Sequence, residues 1–109
     1  MTLTHEQIAG MTCKEVNDEI AIRLGEMREY GRRPDYTTMW HHAGRLFEMM
    51  STDTRTPSIG KYGNDWDCYA FYSDDTHLEP AISDGCATAP EAIARCFLEW
   101  YDATHEAQP

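Results

Sequence analysis

The apolar residues of this chain change their spacing twice, and that change restricts the fold to a mixed class. From Val16 to Leu24, and again from Trp40 to Met50, they recur every three or four residues, as one face of a helix requires. Between residues 59 and 72 they alternate, which is the period of a strand with two unlike faces. After Thr88 the helical spacing returns. Helices that start and end the chain around a short alternating stretch predict an α+β layer structure: a small antiparallel three-stranded sheet, made of a hairpin plus an edge strand, packed by helices in a sandwich-like α/β/α arrangement.

Local signals place the elements. Thr4 to Gln7 and Thr12 to Glu15 each form a capping box, in which the Thr hydroxyl and the side chain three residues on satisfy exposed backbone donors. The first opens a short helix ending at Gly10. The second opens a longer one, with Met11 and Val16 as a hydrophobic staple, Val16, Ile20 and Leu24 inward, and Asp18, Glu19 and Arg23 toward water. Asp35 or Thr37 is read as the cap of a third helix running to about Met50, with Trp40, Ala43, Phe47 and Met50 as its apolar stripe beside Met39 and Leu46.

Gly63-Asn64-Asp65 then reads as a hairpin turn. In the strand that follows, Trp66, Cys68, Ala70 and Tyr72 share one side and Asp67, Tyr69 and Phe71 the other. A third strand is expected over about residues 77–82, held to an edge by Pro80 and ended by Ser83-Asp84-Gly85. Thr88-Ala89-Pro90-Glu91 caps a last helix to about Ala103, whose core stripe is Ala92, Ile93, Cys96, Phe97 and Trp100.

The chain has 109 residues, enough for a single domain over residues 1–109 with an ordered core over about 12–103 and frayed ends. Cys13, Cys68, Cys86 and Cys96 are widely spaced without a CxxC motif, so they are expected as buried free thiols. The chain shows neither a leader-like start nor an apolar run that approaches the ~20 residues of a membrane span, so a cytoplasmic location is expected.

Charge is distributed unevenly. Residues 1–64 carry nine acids and eight bases, whereas residues 65–109 carry ten acids and only Arg95. Such a field repels nucleic acid and anionic membranes and attracts basic surfaces. Two further patterns are set beside it. Asp65 and Asp67 share a strand face, but two carboxylates beside a turn form a solvated edge, and no metal or other cofactor is expected. No nucleophile stands beside a base in the sequence, so no catalytic residues are assigned and no enzyme is expected.

Two segments carry a likeness to a known family. Pro34-Asp35-Tyr36-Thr37-Thr38 opens a Trp-bearing helix, a Trp-containing hairpin follows, and Ala87-Thr88-Ala89-Pro90-Glu91-Ala92-Ile93-Ala94-Arg95 opens the last helix. Over roughly residues 12–103 this arrangement resembles the phage ABA sandwich domain family of small bacteriophage proteins. The resemblance implies a phage or prophage origin, hence the host cytoplasm, and an α/β/α sandwich. It implies no activity and no catalytic set.

Asp65, Asp67, Asp74, Asp75, Glu79 and Asp84, with Trp66, Tyr69, Phe71 and Tyr72 interleaved, are read as an acidic, aromatic surface suited to a basic groove on a host protein. Direct nucleic-acid binding is not expected. The alternative is a small-ligand protein that sequesters a nucleotide signal, gripping its phosphates with Arg28, Arg32, Arg33 or Arg45. A third reading is a structural domain that forms a homodimer through Trp66, Tyr69 and Phe71.

Overall fold

In the computed structural model, which describes residues 3–26, 34–51, 56–71 and 80–106, the helix starts follow their local signals. Thr4 caps α1 (His5–Ala9) and Thr12 caps α2 (Cys13–Leu24), each with both hydrogen bonds of its capping box. Gly25 ends α2 at φ 69, a left-handed conformation that costs a residue without Cβ little. Thr88 accepts from the Glu91 N–H and opens α4 (Ala89–Glu106), the longest element.

The third helix begins later than its sequence predicts. α3 spans Trp40–Met49, and neither Asp35 nor Thr37 caps it. Asp35 instead closes a turn just upstream, accepting from the Thr37 and Thr38 hydroxyls and the Thr38 N–H. Asn17 on α2 holds the same turn, its side-chain oxygen taking the Tyr36 and Thr37 N–H groups. The result reorients the expected stripe. Ala43, Leu46 and Met50 are buried and Phe47 packs on the core, but Trp40 and Met39 are 61% and 46% exposed. Tyr36, fully buried, fills part of the core ahead of the helix.

Strands β1 (Ser58–Tyr62), β2 (Asp65–Ala70) and β3 (Ala81–Cys86) form an antiparallel sheet in the order β1-β2-β3. The fold is therefore α+β, a small three-stranded antiparallel sheet packed by helices. The third strand lies further along the chain than expected. Ser83-Asp84-Gly85 does not end it but belongs to it, because a register shift between Trp66 and Cys68 lets Asp84 and Gly85 together oppose Asp67, with Gly85 at φ 66.

Of the described helices, α4 is the one laid against the sheet, and α1, α2 and α3 pack on α4. The layers run sheet, α4, then the other three helices. A sandwich-like placement with helices on both faces of the sheet is not what the described residues form. The reason lies in α4, which is buried along most of its length, bonded to β3 at Ala92 and Cys96 and to α2 through Asp102. One central helix serves both layers, and it leaves one sheet face uncovered by any described helix.

Candidate functional site

Cross-strand register decides what the uncovered face carries. Tyr62 stands opposite Asp65, Gly60 opposite Asp67, Ser58 opposite Tyr69, and Tyr69 opposite Ile82. Residues directly paired in a sheet point the same way, so these side chains share one surface, with Asp84 beside Asp67 at the bulge. None of them is buried. Cys68, Ala70, Ala81, Ser83 and Cys86, of opposite parity, are all buried on the α4 side. The expected alternation of β2 is thus what positions the site.

The geometry of this face is partly locked. Gly85 donates its N–H to Asp67 Oδ1 at 3.2 Å, which ties that carboxylate to the bulge. Tyr62 is 63% exposed, yet its ring leans back along β1 until Cε2 lies 3.3 Å from where a Gly60 Cβ would stand. A side chain at position 60 would displace it. Asp65 and Asp67, two residues apart on a strand, are separated by about 7 Å along it. Lys61, the nearest base in the chain, belongs to the other face, its ammonium 6.0 Å from the Trp66 ring centroid. Among the described residues, no lysine or arginine lies on the acidic face.

Of the residues assigned from sequence, Asp65, Asp67, Tyr69 and Asp84 come together here, and Phe71 follows the end of β2 with its carbonyl accepting from Trp100 Nε1. Asp74, Asp75 and Glu79 lie outside the described residues, as does Tyr72. Trp66 is on the opposite, helix-facing side, so it contributes neither to this surface nor to a homodimer made through it. Tyr62 and Ile82 were not assigned from sequence. Tyr62 is missed because Asp65 reads as part of the turn, whereas the turn is Gly63-Asn64 and Asp65 opens β2 directly across from Tyr62.

Three further acids of the second half, Glu91, Glu99 and Asp102, have other work. Asp102 accepts from Arg23 through both oxygens, Nε at 2.6 Å and Nη2 at 2.8 Å, and also from the Leu3 N–H. Arg23 therefore does not face water as its sequence suggests; its side chain is 10% exposed and that of Asp102 is 7%. Glu91 pairs with Arg95 and accepts from the Cys13 thiol, while Glu99 accepts from the Ile82 N–H beside His5. These acids bind the N-terminal helices and β3 to α4. Among the described acidic side chains of residues 65–109, those not engaged in this way stand on the sheet, Asp65, Asp67 and Asp84.

Of the alternative phosphate-gripping set, Arg45 lies among the described residues. Arg45 is paired with Glu26, which also accepts the Tyr36 hydroxyl; the Arg45 guanidinium, against the cost of burial, holds the Glu26 carboxyl below its usual range. Arg28, Arg32 and Arg33 lie outside the described residues. Burial and the neighbouring His41 lower the pKa of His42, whose ring stands 3.9 Å from that of His41. No group of three metal-ligating side chains occurs among the described residues. A cavity of about 110 Å³ under α1 includes Arg95 in its lining, but that guanidinium is occupied by the Ile8 and Met11 carbonyls and Glu91.

Comparison of the chain with protein families, with curated proteins and with solved structures found no match. None of the described helices is long and apolar enough to cross a membrane.

Proposed function

We propose that this chain is a non-enzymatic accessory protein of the phage type that binds a host protein and occupies its basic nucleic-acid-binding surface, as part of an anti-defence or replication-blocking role. The observation that carries this reading is the uncovered sheet face, on which Asp65, Asp67 and Asp84 stand among Tyr62, Tyr69 and Ile82 with no cation of the described residues beside them. A basic groove built for phosphates pairs with carboxylates by the same Coulombic complementarity, which also steers encounter. Tyrosines between the acids supply rigid contact area at small entropic cost. Asp67 is already fixed by Gly85, so part of the ordering cost of binding is met within the free protein.

The test is retention of host proteins from a bacterial lysate by the tagged chain, at low and raised salt, beside the folded variant D65N/D67N/D84N. The expected capture is a nucleic-acid-handling protein with a basic surface, lost at raised salt. Its recovery should fall about tenfold with the variant, as three partly screened ion pairs of about 0.5 kcal/mol each would give. Equal recovery by both proteins removes the sheet face from the account. A retained nucleotide with no protein partner would favour the sequestering alternative instead.

A further inference from the structure

The two outer edges of the sheet differ. Gly63-Asn64 is a two-residue turn, so Tyr62 and Asp65 close the hairpin as a hydrogen-bonded pair. The ladder then alternates: Gly60 and Ser58 turn their backbone groups toward β2, whereas Ile59 and Lys61 turn theirs away from it. Carried through Tyr69, the same alternation places the Ile82 N–H on the far edge of β3, where Glu99 of α4 accepts it at 3.0 Å. α1 flanks that edge as well, since His5, Ile8 and Ala9 line one cavity with residues 82–86. The edge of β1 has no such cover. Among the described residues, no group bonds to the outward N–H or C=O of Ile59 or Lys61, and Ser58, Lys61 and Tyr62 are exposed.

We propose that this edge accepts an extended, basic segment of the partner protein as a fourth, antiparallel strand. The inference rests on the reading of the acidic face given above and names the element that the face receives. The added strand lies about 4.8 Å beyond β1 and exchanges hydrogen bonds with Ile59 and Lys61. Residues paired in this way share a side of the sheet, so the partner residues bonded to Ile59 and Lys61 project toward α4, beside the partly buried Ile59 side chain. Their neighbours project over the acidic face. There a lysine or arginine stem can lie along the Tyr62 ring, with its charge toward Asp65 and Asp67 on β2.

Charge selects this occupant over a second copy of the chain. A copy of β1 offers the same backbone groups, but each chain carries a net charge of -10, and two-fold pairing would set two acidic faces side by side on one sheet. A basic strand meets the opposite charge.

The probe is a short capped peptide of alternating valine and lysine, labelled and titrated with the whole chain by fluorescence anisotropy. Two further peptides are N-methylated, one at the valines and one at the lysines. The unmethylated and lysine-methylated peptides are expected to bind and the valine-methylated one not to, because only the valine N–H groups face β1 when the lysines lie over the acids. Lys61→Pro removes one outward N–H and leaves the bonds between β1 and β2 in place, so it should weaken binding about tenfold. It does so although it deletes a positive charge that repels the peptide. No binding of the unmethylated peptide, an equal response to the two methylated ones, undiminished binding by folded Lys61→Pro, or a dimer of the chain alone that Lys61→Pro dissociates would overturn the proposal. If the peptide results fail while host-protein capture still depends on Asp65, Asp67 and Asp84, the strand addition falls and the reading of the face stands.

Discussion

Asp102→Asn lowers the unfolding free energy by about 3 kcal/mol, the lower end of the cost of breaking a buried ion pair from one side. The loss arises because Arg23 remains buried with its charge and the Leu3 N–H loses a charged acceptor, while Glu19, at 2.7 Å from the guanidinium, retains part of the compensation. Urea denaturation at neutral pH measures it. The double variant R23M/D102L, which removes both charges and keeps the site filled, should recover most of the loss, since well-packed apolar replacements of buried pairs are close to neutral. A single variant within about 0.5 kcal/mol of the parent, the range of an ordinary surface change, contradicts the assignment.

The same pair sets a pH dependence. Burial disfavours the Asp102 carboxylate, but Arg23 and the Leu3 N–H outweigh it and hold the carboxyl below its ordinary 3.8. A carboxyl whose pKa is lower in the folded than in the unfolded chain adds stability above the unfolded value and loses it as pH falls through the folded one. Glu26 and Asp35 are shifted in the same direction. The parent is therefore expected to lose stability below about pH 4, and Asp102→Asn to lose less of it over that interval.

Phe97→Ala is expected to cost about 4 kcal/mol, in the range for deleting a buried aromatic ring. Phe97 is fully buried in the middle of α4, with its ring centroid 5.8 Å from that of Trp100 and 5.6 Å from that of Tyr101. Because α4 lies between the sheet and the other helices, a cavity there loosens both layers. The measurement is the urea midpoint with the slope of the transition. A loss under about 1 kcal/mol would mean that Phe97 lies at a margin able to collapse around the missing ring.

What could be read from the sequence divides by the range of the interaction involved. Thr4, Thr12 and Thr88 announce helices because each cap closes within three residues of itself. The parity of β2 was legible for the same reason, and it separated Asp67 and Tyr69 from Cys68 and Ala70 before any fold was known. The start of α3 was not legible: Asp35 looks like a helix cap, but Asn17, nineteen residues before Tyr36, directs it into a separate turn. Ser83-Asp84-Gly85 has the composition of a terminator, and only pairing with β2 turns it into a bulge. Arg23 and Asp102 are likewise joined by the fold alone. For the acidic face, that means the alternation was readable but the absence of a covering helix was not, because α4 gathers the described helices on the other side.

The decisive measurement is the affinity for the captured host protein as a function of salt, for the parent and for D65N/D67N/D84N, with a nucleic acid bound by that host protein as competitor. The proposed account predicts that the parent displaces the nucleic acid, that its affinity falls steeply as salt rises, and that the variant binds about tenfold more weakly with a shallower salt dependence. Parallel salt dependences for the two proteins, or simultaneous binding of the chain and the nucleic acid to the host protein, would contradict it.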